Sequence, residues 1–379
     1  MVALRIGFDG RALASAAAGV RRYTHALFGA IASGDEEVEV VAIGPPPGTP
    51  IPDGVVTASA PSLVPTNFGW TVVSIPFGFR RAQVNLYHAP AYTAPPWGVR
   101  PLVLTIHDCS YERHPEWYPH RRDVVRRAFY RRSALAADVI ITDSEFSKGE
   151  IISAYPIDAD RVVVIPLGVD EHFRPSDVAT DRSPPTVPPY LLHVGDLHPR
   201  RDLVTAVRAL LEVRQRSGFG NLRLIMVGVD RGSRAEVVQA ARADSVTGVA
   251  EIREGVSEAD LTQLYQEARA LIYPSRYEGF GLPLVEAMAC GTPVVAARAG
   301  ATPEVVGEAG LLVEPGDVAG FAQAITTVLT NTWRRGELRA ASLRRSREFE
   351  WEKCATETVE VYRHCAERFT RRSQLGPPA

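Results

Sequence analysis

Residues 275–295 have the sequence SRYEGFGLPLVEAMACGTPVV, and this stretch decides the fold class. A short apolar run at 270–273 precedes it and predicts a strand. Glycines then form a turn, and Pro283 suits the first turn of a helix, where its missing N–H costs no hydrogen bond. The apolar residues 293–296 predict a second strand. A strand, a helix and a strand in this order are typical of a parallel sheet covered by helices.

The same alternation of apolar runs and helical patterns extends over most of the chain. Helices predicted at 21–32, 120–137 and 147–154 separate strands in the first half. We predict an α/β protein with two Rossmann-like doubly wound domains, and we expect them to face each other across a ligand-binding cleft, since open α/β sheets bind ligands beyond the carboxyl ends of their strands. The predicted strands are 4–8, 38–43, 84–87, 102–106, 139–142 and 162–165, then 190–194, 222–227, 250–252, 270–273, 293–296 and 310–313.

Residues 173–189 interrupt this alternation. Five of the sixteen residues at 174–189 are prolines, and the segment has no apolar periodicity, which is typical of a linker. We therefore predict an N-terminal domain at 1–173, a linker at 174–189 and a second domain at 190–350. Residues 351–379 form a C-terminal helix and tail that can pack back on the N-terminal domain.

Length and composition exclude several classes of protein. The chain has 379 residues, which favours two domains over one core. Hydrophobic residues make up 45% and charged residues 23%, and this excludes a disordered or fibrous chain. With 42 basic and 44 acidic residues the formal net charge is −2, so we expect no nucleic-acid partner. No apolar run approaches the ~20 residues of a membrane span, and the first residues lack a signal-peptide pattern.

The four cysteines, at 109, 290, 354 and 365, form no CxxC pair and show no metal-ligand spacing. If Cys354 and Cys365 share one helix, they lie about 16 Å apart. A disulfide needs Cα atoms within about 7 Å, so these two cannot be bridged. Cysteines without a disulfide partner are more typical of a reducing compartment, so we expect a cytoplasmic protein.

Two acidic residues, Glu278 and Glu286, flank the glycine turn and the helix start. Two carboxylates in this arrangement can bind two parts of one ligand. The backbone N–H groups of Phe280, Gly281 and Leu282, at the start of the helix, suit a phosphate or sugar oxygen. Capping or solvent-facing glutamates are the alternative, but the glycines, the proline and the following strand together favour a binding site.

This stretch resembles the E-x7-E signature of retaining glycosyltransferase family 4, whose members have the GT-B fold. The resemblance covers roughly residues 1–365, and its motifs are specific as a set. The other matching stretches are AGVRRY at 18–23, TIHD at 105–108, TDSEFS at 142–147, PLGVD at 166–170 and VGDLHPRRD at 194–202.

The resemblance implies a role for each matching residue. It places Glu278 at hydroxyls of the donor sugar and Glu286 at the ribose hydroxyls of the nucleotide. Arg200 and Arg201 meet the diphosphate. Gly19, in the first domain, lets the backbone approach the same diphosphate.

His107, at the end of a predicted strand, is placed by the resemblance beside the donor sugar and phosphate, where it takes part in catalysis with Glu278. A histidine that merely satisfies hydrogen bonds at a strand end is the alternative. Double displacement needs a carboxylate close to the anomeric carbon, and the sequence offers no convincing one on the acceptor side. The resemblance implies front-face substitution instead, in which the departing phosphate helps to deprotonate the acceptor hydroxyl.

Breaking a sugar–diphosphate bond develops negative charge, which fixed cations and backbone dipoles stabilise. The family usually has lysine where Arg201 stands, and many members have arginine where this chain has Asp196, so binding of the diphosphate depends more on the arginine pair.

Asp158 and Asp160 form a DxD sequence, which marks a metal site in other glycosyltransferases. They precede a strand, however, which is the wrong end for a ligand. We expect no metal and no cofactor besides the GDP- or UDP-linked donor.

The predicted helix at 120–137 carries six arginines by residue 132. We expect its apolar face to pack on the sheet, as in an ordinary surface helix. The alternative is that the helix formed by Arg121–Arg132 contacts anionic lipid or a diphosphate-linked acceptor, with the protein peripheral at the inner face of the membrane. At 100° per residue, the arginines on one face are 122, 126, 127 and 131, and the apolar residues on the other are Val124, Val125, Ala128 and Phe129.

Together these features predict a metal-independent, retaining hexosyltransferase. It would move mannose or a related hexose to a hydroxyl of a carbohydrate, glycolipid or small-molecule acceptor, in polysaccharide, glycolipid or metabolite biosynthesis. The alternatives are a sugar-nucleotide epimerase, a phosphorylase-like enzyme and a non-catalytic scaffold. A phosphorylase should have a cofactor lysine in its second domain, and Lys353 is poorly placed for that. A scaffold is expected to have lost Glu278 or the arginine pair. The sequence leaves the oligomeric state open.

Overall fold

The computed structural model describes residues 4–61, 66–119, 122–176, 188–216, 218–242 and 248–375. Its contacts divide the chain into two compact units, one formed by Met1–Gly168 with Glu350–Ala379 and the other by Val169–Phe349. Some predicted segments fall partly outside the described residues: 177–187 of the linker, 120 and 121 of the basic helix, and 376–379 of the tail. The domain boundaries around the linker therefore stay predictions.

Within the described residues, the first unit contains a seven-stranded parallel sheet in the order β3-β2-β1-β4-β5-β6-β7. The strands are nearly all apolar because both faces of the sheet are covered. Ile6 and Phe8 of β1, for example, are completely buried. The strands are β1 (Leu4–Asp9), β2 (Val38–Ile43), β3 (Val56–Ala58), β4 (Leu86–Ala89), β5 (Leu102–Thr105), β6 (Val139–Thr142) and β7 (Val162–Val164).

Helices cover this sheet. A π-helical segment, Trp70–Ser74, joins α2 to α3, so that 67–81 form one continuous helical segment. Side chains cap three of the described helices: Thr66 accepts from the Gly69 N–H at 3.0 Å, Asp123 from the Arg126 N–H at 2.9 Å and Ser144 from the Ser147 N–H at 3.1 Å. The helices are α1 (Ala18–Gly34), α2 (Asn67–Gly69), α3 (Ile75–Arg81), α4 (Ser110–Arg113), α5 (Val124–Ala136) and α6 (Glu145–Ala154).

The second unit has, in its described part, a six-stranded parallel sheet in the order β10-β9-β8-β11-β12-β13. Its strands are β8 (Tyr190–Val194), β9 (Arg223–Val227), β10 (Ala250–Arg253), β11 (Ala270–Tyr273), β12 (Val294–Ala297) and β13 (Gly310–Val313). Its helices are α7 (Leu203–Arg214), α8 (Arg234–Arg242), α9 (Glu258–Glu267), α10 (Leu282–Ala289), α11 (Thr302–Val306), α12 (Val318–Thr330) and α13 (Thr332–Ser346).

The last helix, α14 (Trp351–Leu375), belongs to the first unit and packs along α1. Arg363 of α14 forms an ion pair with Asp35, with Nη2 and Oδ2 2.7 Å apart. Cys354 and Cys365 both lie on this helix, and both are buried free thiols. Among the residues that the structure describes, no helix is long and apolar enough to span a membrane.

The predicted fold class, two Rossmann-like α/β domains, is confirmed. Two predictions differ in detail. The strand predicted at 84–87 lies at Leu86–Ala89. The apolar pattern ends before the polar residue His88, but His88 is buried and the strand continues through it. Strand β3 was not predicted, because its residues are exposed or half-buried at the sheet edge and lack an apolar pattern.

The predicted packing of α5 is wrong. Val124 and Val125 are 73% and 72% exposed, so the apolar face does not lie on the sheet. The helix is instead buried through Ser133 and Ala134 in its second half. These small side chains permit close approach, and the Ser133 hydroxyl donates to the carbonyl of Ala94 at 3.2 Å.

Candidate active site

The topology of the sheets decides where a ligand can bind. In each sheet the strand order reverses once, between β1 and β4 and between β8 and β11. In open α/β sheets, ligands bind beyond the carboxyl ends of the strands at such a reversal. The predicted site residues follow these ends: Gly19 after β1, His107 after β5, Arg200 and Arg201 after β8, and 278–282 after β11.

Arg201 and Glu278 form a buried ion pair in the second unit. Arg201 is 8% exposed and Glu278 is 4% exposed. Nη1 of Arg201 donates to Oε1 of Glu278, to the hydroxyl of Tyr273 and, at 3.3 Å, to the hydroxyl of Ser275. The resemblance implies that both charged residues lie at the donor, and the adjacency of β8 and β11 brings them into direct contact.

The guanidinium of Arg201 lies over the ring of Tyr273, 5.1 Å from its centroid. The other support is His193, whose ring stacks on Tyr273 with centroids 5.6 Å apart. Burial, together with the charge of Arg201, lowers the pKa of His193 to about 3, so this ring is neutral. Gly195 leaves room for the guanidinium, because a Cβ there would lie 3.3 Å from its central carbon.

The buried Nε of Arg201 has no hydrogen-bond partner in the described part of the chain. A buried N–H without an acceptor is costly, more so in a charged group. A ligand oxygen would satisfy it. The guanidinium is therefore held on one side by the protein and still has a donor that an anion can use.

Backbone contacts fix the loops that carry this pair. The N–H of Arg276 donates to the carbonyl of Arg200 at 2.8 Å, and the Arg276 guanidinium pairs with Asp202 at 2.9 Å. Gly300, after β12, has φ +58°, and a Cβ at this position would lie 2.6 Å from the backbone N and O of Glu278. The loops after three neighbouring strands thus hold one another in place.

Helix α10 positions the second glutamate. It begins at Leu282 with Pro283 in its first turn, as the sequence predicts, and Gly281 precedes it with φ +98°. Glu286 is buried, and its Oε2 accepts a hydrogen bond from the Tyr265 hydroxyl at 2.7 Å. Phe280 is also buried and packs edge-on against Phe349.

His107 of the first unit lies between two acceptors. Its Nδ1 is 2.8 Å from Oδ2 of Asp143, and its Nε2 is 3.2 Å from the carbonyl oxygen of Pro90. Burial lowers the pKa of His107, but the Asp143 carboxylate and its hydrogen bond raise it more, so the net shift is upward. Since both ring nitrogens face acceptors, the geometry favours the imidazolium, a cation, over a nucleophile or a base.

A chain of buried hydrogen bonds lies next to His107. The ring of Tyr23 meets it edge-on, with centroids 4.7 Å apart, and the Tyr23 hydroxyl is 2.8 Å from that of Thr105. Thr105 is bonded to Nε2 of His88 at 2.7 Å, and Nδ1 of His88 to the Tyr362 hydroxyl of α14 at 2.6 Å. Burial lowers the pKa of His88 to about 3, so it stays neutral.

Sequence reasoning assigned no role to Asp143, Tyr23 or His88. Asp143 lies within the stretch TDSEFS directly after β6, where a polar residue at a strand end was the available signal. Tyr23 lies within the stretch AGVRRY, inside α1. Gly19 lies in the first turn of α1, and a Cβ there would meet nothing within 4 Å. Contacts within the described part of the protein therefore do not require glycine at position 19. The approach of the Gly19 backbone to a diphosphate stays a prediction.

Asp158 and Asp160 precede β7, and Asp158 starts a single 3-10 turn there. Across the described ranges, no group of three or more His, Cys, Asp or Glu side chains is arranged to hold a metal ion.

Comparisons with known proteins identify the family. A family model described as Glycosyltransferase Family 4 matches residues 17–173, and one described as Glycosyl transferases group 1 matches residues 188–331. O-antigen chain mannosyltransferase B of Escherichia coli is 34% identical over 292 residues, which cover 73% of this chain and 74% of that protein. The chain belongs to glycosyltransferase family 4.

Two further similarities agree with this family 4 assignment. D-inositol 3-phosphate glycosyltransferase of Kineococcus radiotolerans is 32% identical over 253 residues, and the match covers 61% of this chain and 58% of that protein. The solved structure of sucrose-phosphate synthase from Thermosynechococcus elongatus matches with a TM-score of 0.76 at 21% identity, covering 97% of this chain and all of that one. This last match shows the fold, and it is of the predicted GT-B type.

Replacing Asp143 tests the state of His107. We expect the pKa of His107 to lie above 6.5 in the parent protein and below 6.5 in Asp143→Asn, because burial then acts without the opposing carboxylate. Histidine NMR over a pH titration measures both values. The exposed Asp158→Asn in the same unit is the matched control. An unchanged His107 pKa in Asp143→Asn would contradict the assignment.

Replacing Gly300 tests the contact that fixes Glu278. Gly255 is the control, since its φ is +66° but a Cβ there meets nothing within 4 Å. We expect Gly255→Ala to cost about 1 kcal/mol, from the left-handed backbone alone. Gly300→Ala should cost roughly 2 kcal/mol more, because the new Cβ also displaces the Glu278 backbone. Urea unfolding measures both, and equal losses would show that the contact does not matter.

Proposed function

We propose that this glycosyltransferase moves a hexose, with mannose favoured, from a GDP- or UDP-linked donor to an acceptor hydroxyl with retention of anomeric configuration and without a metal ion. The acceptor is a carbohydrate, a glycolipid or a small molecule of polysaccharide, glycolipid or metabolite biosynthesis. The observation that supports the donor part of this proposal is the buried pair of Arg201 and Glu278 at the reversal between β8 and β11.

In the proposed complex, Arg201 and Arg200 bind the diphosphate. A guanidinium is always charged and offers N–H groups in a fork that matches phosphate oxygens. Glu278 neutralises Arg201 in the free protein, and the buried Nε, which lacks an acceptor among the described residues, is a donor that a phosphate oxygen would satisfy in the complex. Glu278 then accepts hydrogen bonds from sugar hydroxyls. The backbone N–H groups of 280–282 add donors at the start of α10.

Glu286 binds the ribose in this proposal. The Tyr265 hydroxyl fixes one carboxylate oxygen and thereby orients the group. A carboxylate accepts hydrogen bonds from neighbouring hydroxyls, and the two ribose hydroxyls are such a pair. Because α10 begins at Leu282, directly after the glycine turn, this carboxylate lies about one helical turn into the helix.

The chemical step needs stabilisation of charge on the departing phosphate. The arginines supply it from the second unit, and the His107 imidazolium is a further fixed cation that takes part in the transfer step. Because cations of the protein do this work, no metal is required. The leaving phosphate takes the acceptor's proton as the glycosidic bond forms on the same face, which accounts for retention without a carboxylate nucleophile.

Mannose is favoured because the Escherichia coli relative is named as a mannosyltransferase. The other relative is named a D-inositol 3-phosphate glycosyltransferase, and because that name contains a small molecule, we propose a small-molecule acceptor as an alternative. We place the reaction in the cytoplasm, with the protein peripheral at the inner face of the membrane.

A donor screen tests this function. Purified protein is incubated with GDP- and UDP-linked sugars and released nucleotide is measured by mass spectrometry. We expect one donor to be turned over, with EDTA making no difference, and Glu278→Gln to lower turnover at least a hundredfold. The exposed Glu308→Gln in the same unit is the control. A Glu278→Gln variant as fast as the parent would contradict the site assignment.

A further inference from the structure

Four buried polar side chains of the first unit form a continuous series of hydrogen bonds that ends beside His107. We call these four residues, Tyr23, Thr105, His88 and Tyr362, the buried chain. All four are at most 1% exposed, and the three hydrogen bonds that join them measure 2.6–2.8 Å. The residues come from α1, β5, β4 and α14 in that order, so the chain joins two helices through two adjacent strands.

His88, inside the buried chain, couples its two ends. Because burial lowers the pKa of His88 to about 3, the ring is neutral, and one of its nitrogens carries a hydrogen while the other accepts one. Nδ1 is bonded to Tyr362 and Nε2 to Thr105, so the ring is satisfied only while both hydroxyls are in place. Loss of either hydroxyl leaves a buried ring nitrogen without its partner, which is costly. The positions of the two hydroxyls therefore depend on each other.

Stability of the fold does not explain the buried chain. Burying polar groups costs free energy, and the hydrogen bonds that they then make give only a small net gain. Apolar side chains of the same shape are nearly neutral or stabilising replacements for such a pair. The neighbouring core is apolar, as shown by Phe28, whose ring meets His88 edge-on with centroids 5.4 Å apart. The location of the chain beside His107 points to a role in the candidate site instead.

His107 depends on neighbouring rings for its orientation. Its partner Asp143 accepts through Oδ2, but the buried Oδ1 of Asp143 has no hydrogen-bond partner in the described part of the chain. A second donor that would fix this carboxylate is therefore lacking among those residues. The rings of Tyr23 and Tyr92 meet His107 edge-on, with centroids 4.7 and 6.0 Å away. Tyr23 is the closer and the more deeply buried of the two, so it limits rotation of the imidazole most.

We propose that Tyr23 is a positioning residue of the transfer step, and that the buried chain anchors it to Tyr362 of the last helix. The bond to Thr105 fixes the Tyr23 ring, and this ring holds His107 at the angle at which both of its nitrogens meet their acceptors. Helix α14 thereby supports the site, although it follows the second unit in the sequence. The inference rests on the proposed function, in which His107 is a fixed cation at the departing phosphate.

Steady-state kinetics of the full-length protein, with the donor that it turns over, test the positioning role. We expect Tyr23→Phe and Tyr362→Phe each to lower kcat about tenfold, with the donor KM changed less than about twofold, since the geometry of the transfer step is lost and neither side chain touches the donor. Because both act through one chain, the double variant should also lose about tenfold, whereas independent effects would multiply to about a hundredfold.

Further variants separate positioning from general damage to the core. Thr105→Val breaks the buried chain in its middle and should lower kcat as Tyr362→Phe does, whereas Thr105→Ser keeps the hydroxyl and should restore most of the kcat. The matched control is Tyr190→Phe in the second unit, which removes a buried hydroxyl that donates to the Leu264 carbonyl at 2.9 Å. It should leave kcat unchanged. Circular dichroism verifies that each variant is folded.

Solvent exchange of the His107 Nδ1–H, followed by NMR in the free protein, tests the same coupling without a donor. This hydrogen lies in the buried contact with Asp143, so we expect Tyr362→Phe to speed its exchange at least tenfold and Tyr190→Phe to leave it unchanged. A parent protein that turns over no donor contradicts the proposed function, while the exchange rates still test the chain. Equal exchange in the parent and Tyr362→Phe, an unchanged kcat in Tyr362→Phe, or losses that multiply in the double variant would each overturn the inference.

Discussion

The buried ion pair between Arg201 and Glu278 is the interaction on which the candidate site depends. Removing two charges from water costs several kcal/mol per ion, so such a pair is poor evidence for stability. The surrounding structure is built to hold it: Tyr273 and neutral His193 support the guanidinium, and Gly300 allows close approach of the Glu278 backbone. The pair therefore costs folding stability, but it fixes the permanently charged guanidinium of Arg201. The planar N–H groups of a fixed guanidinium suit recognition of phosphate oxygens.

The sequence was sufficient for the fold and for much of the second unit's site. Continuous apolar strands indicate burial on both faces of a sheet. Eleven of the twelve predicted strands therefore lie within one residue of their observed ends, and the remaining one is shifted by two residues. The position of Glu278 follows from the strand, turn and proline around it. What the pattern could not give is its direct bond to Arg201, since that depends on which strands are neighbours.

The first unit was harder to predict, because its site depends on polar residues inside apolar strands. His88 ends a strand pattern, yet it is buried and satisfied by Thr105 and Tyr362, which come from distant parts of the sequence. For helix α5, the predicted buried face was wrong. Its periodicity predicts an inward apolar face, but the helix is seated through Ser133 and Ala134, and Val124 and Val125 are left outside. Periodicity does not say which face of a helix meets its sheet.

Calorimetric titration of GDP and UDP tests most directly whether the guanidinium of Arg201 receives a diphosphate. The parent protein should bind one of the two nucleotides clearly, and Arg201→Gln should weaken that binding at least tenfold, as expected for loss of a hydrogen bond to a charged group. Arg208→Gln, an exposed arginine on α7, should bind like the parent. A folded Arg201→Gln variant that binds the nucleotide as tightly as the parent would contradict the account.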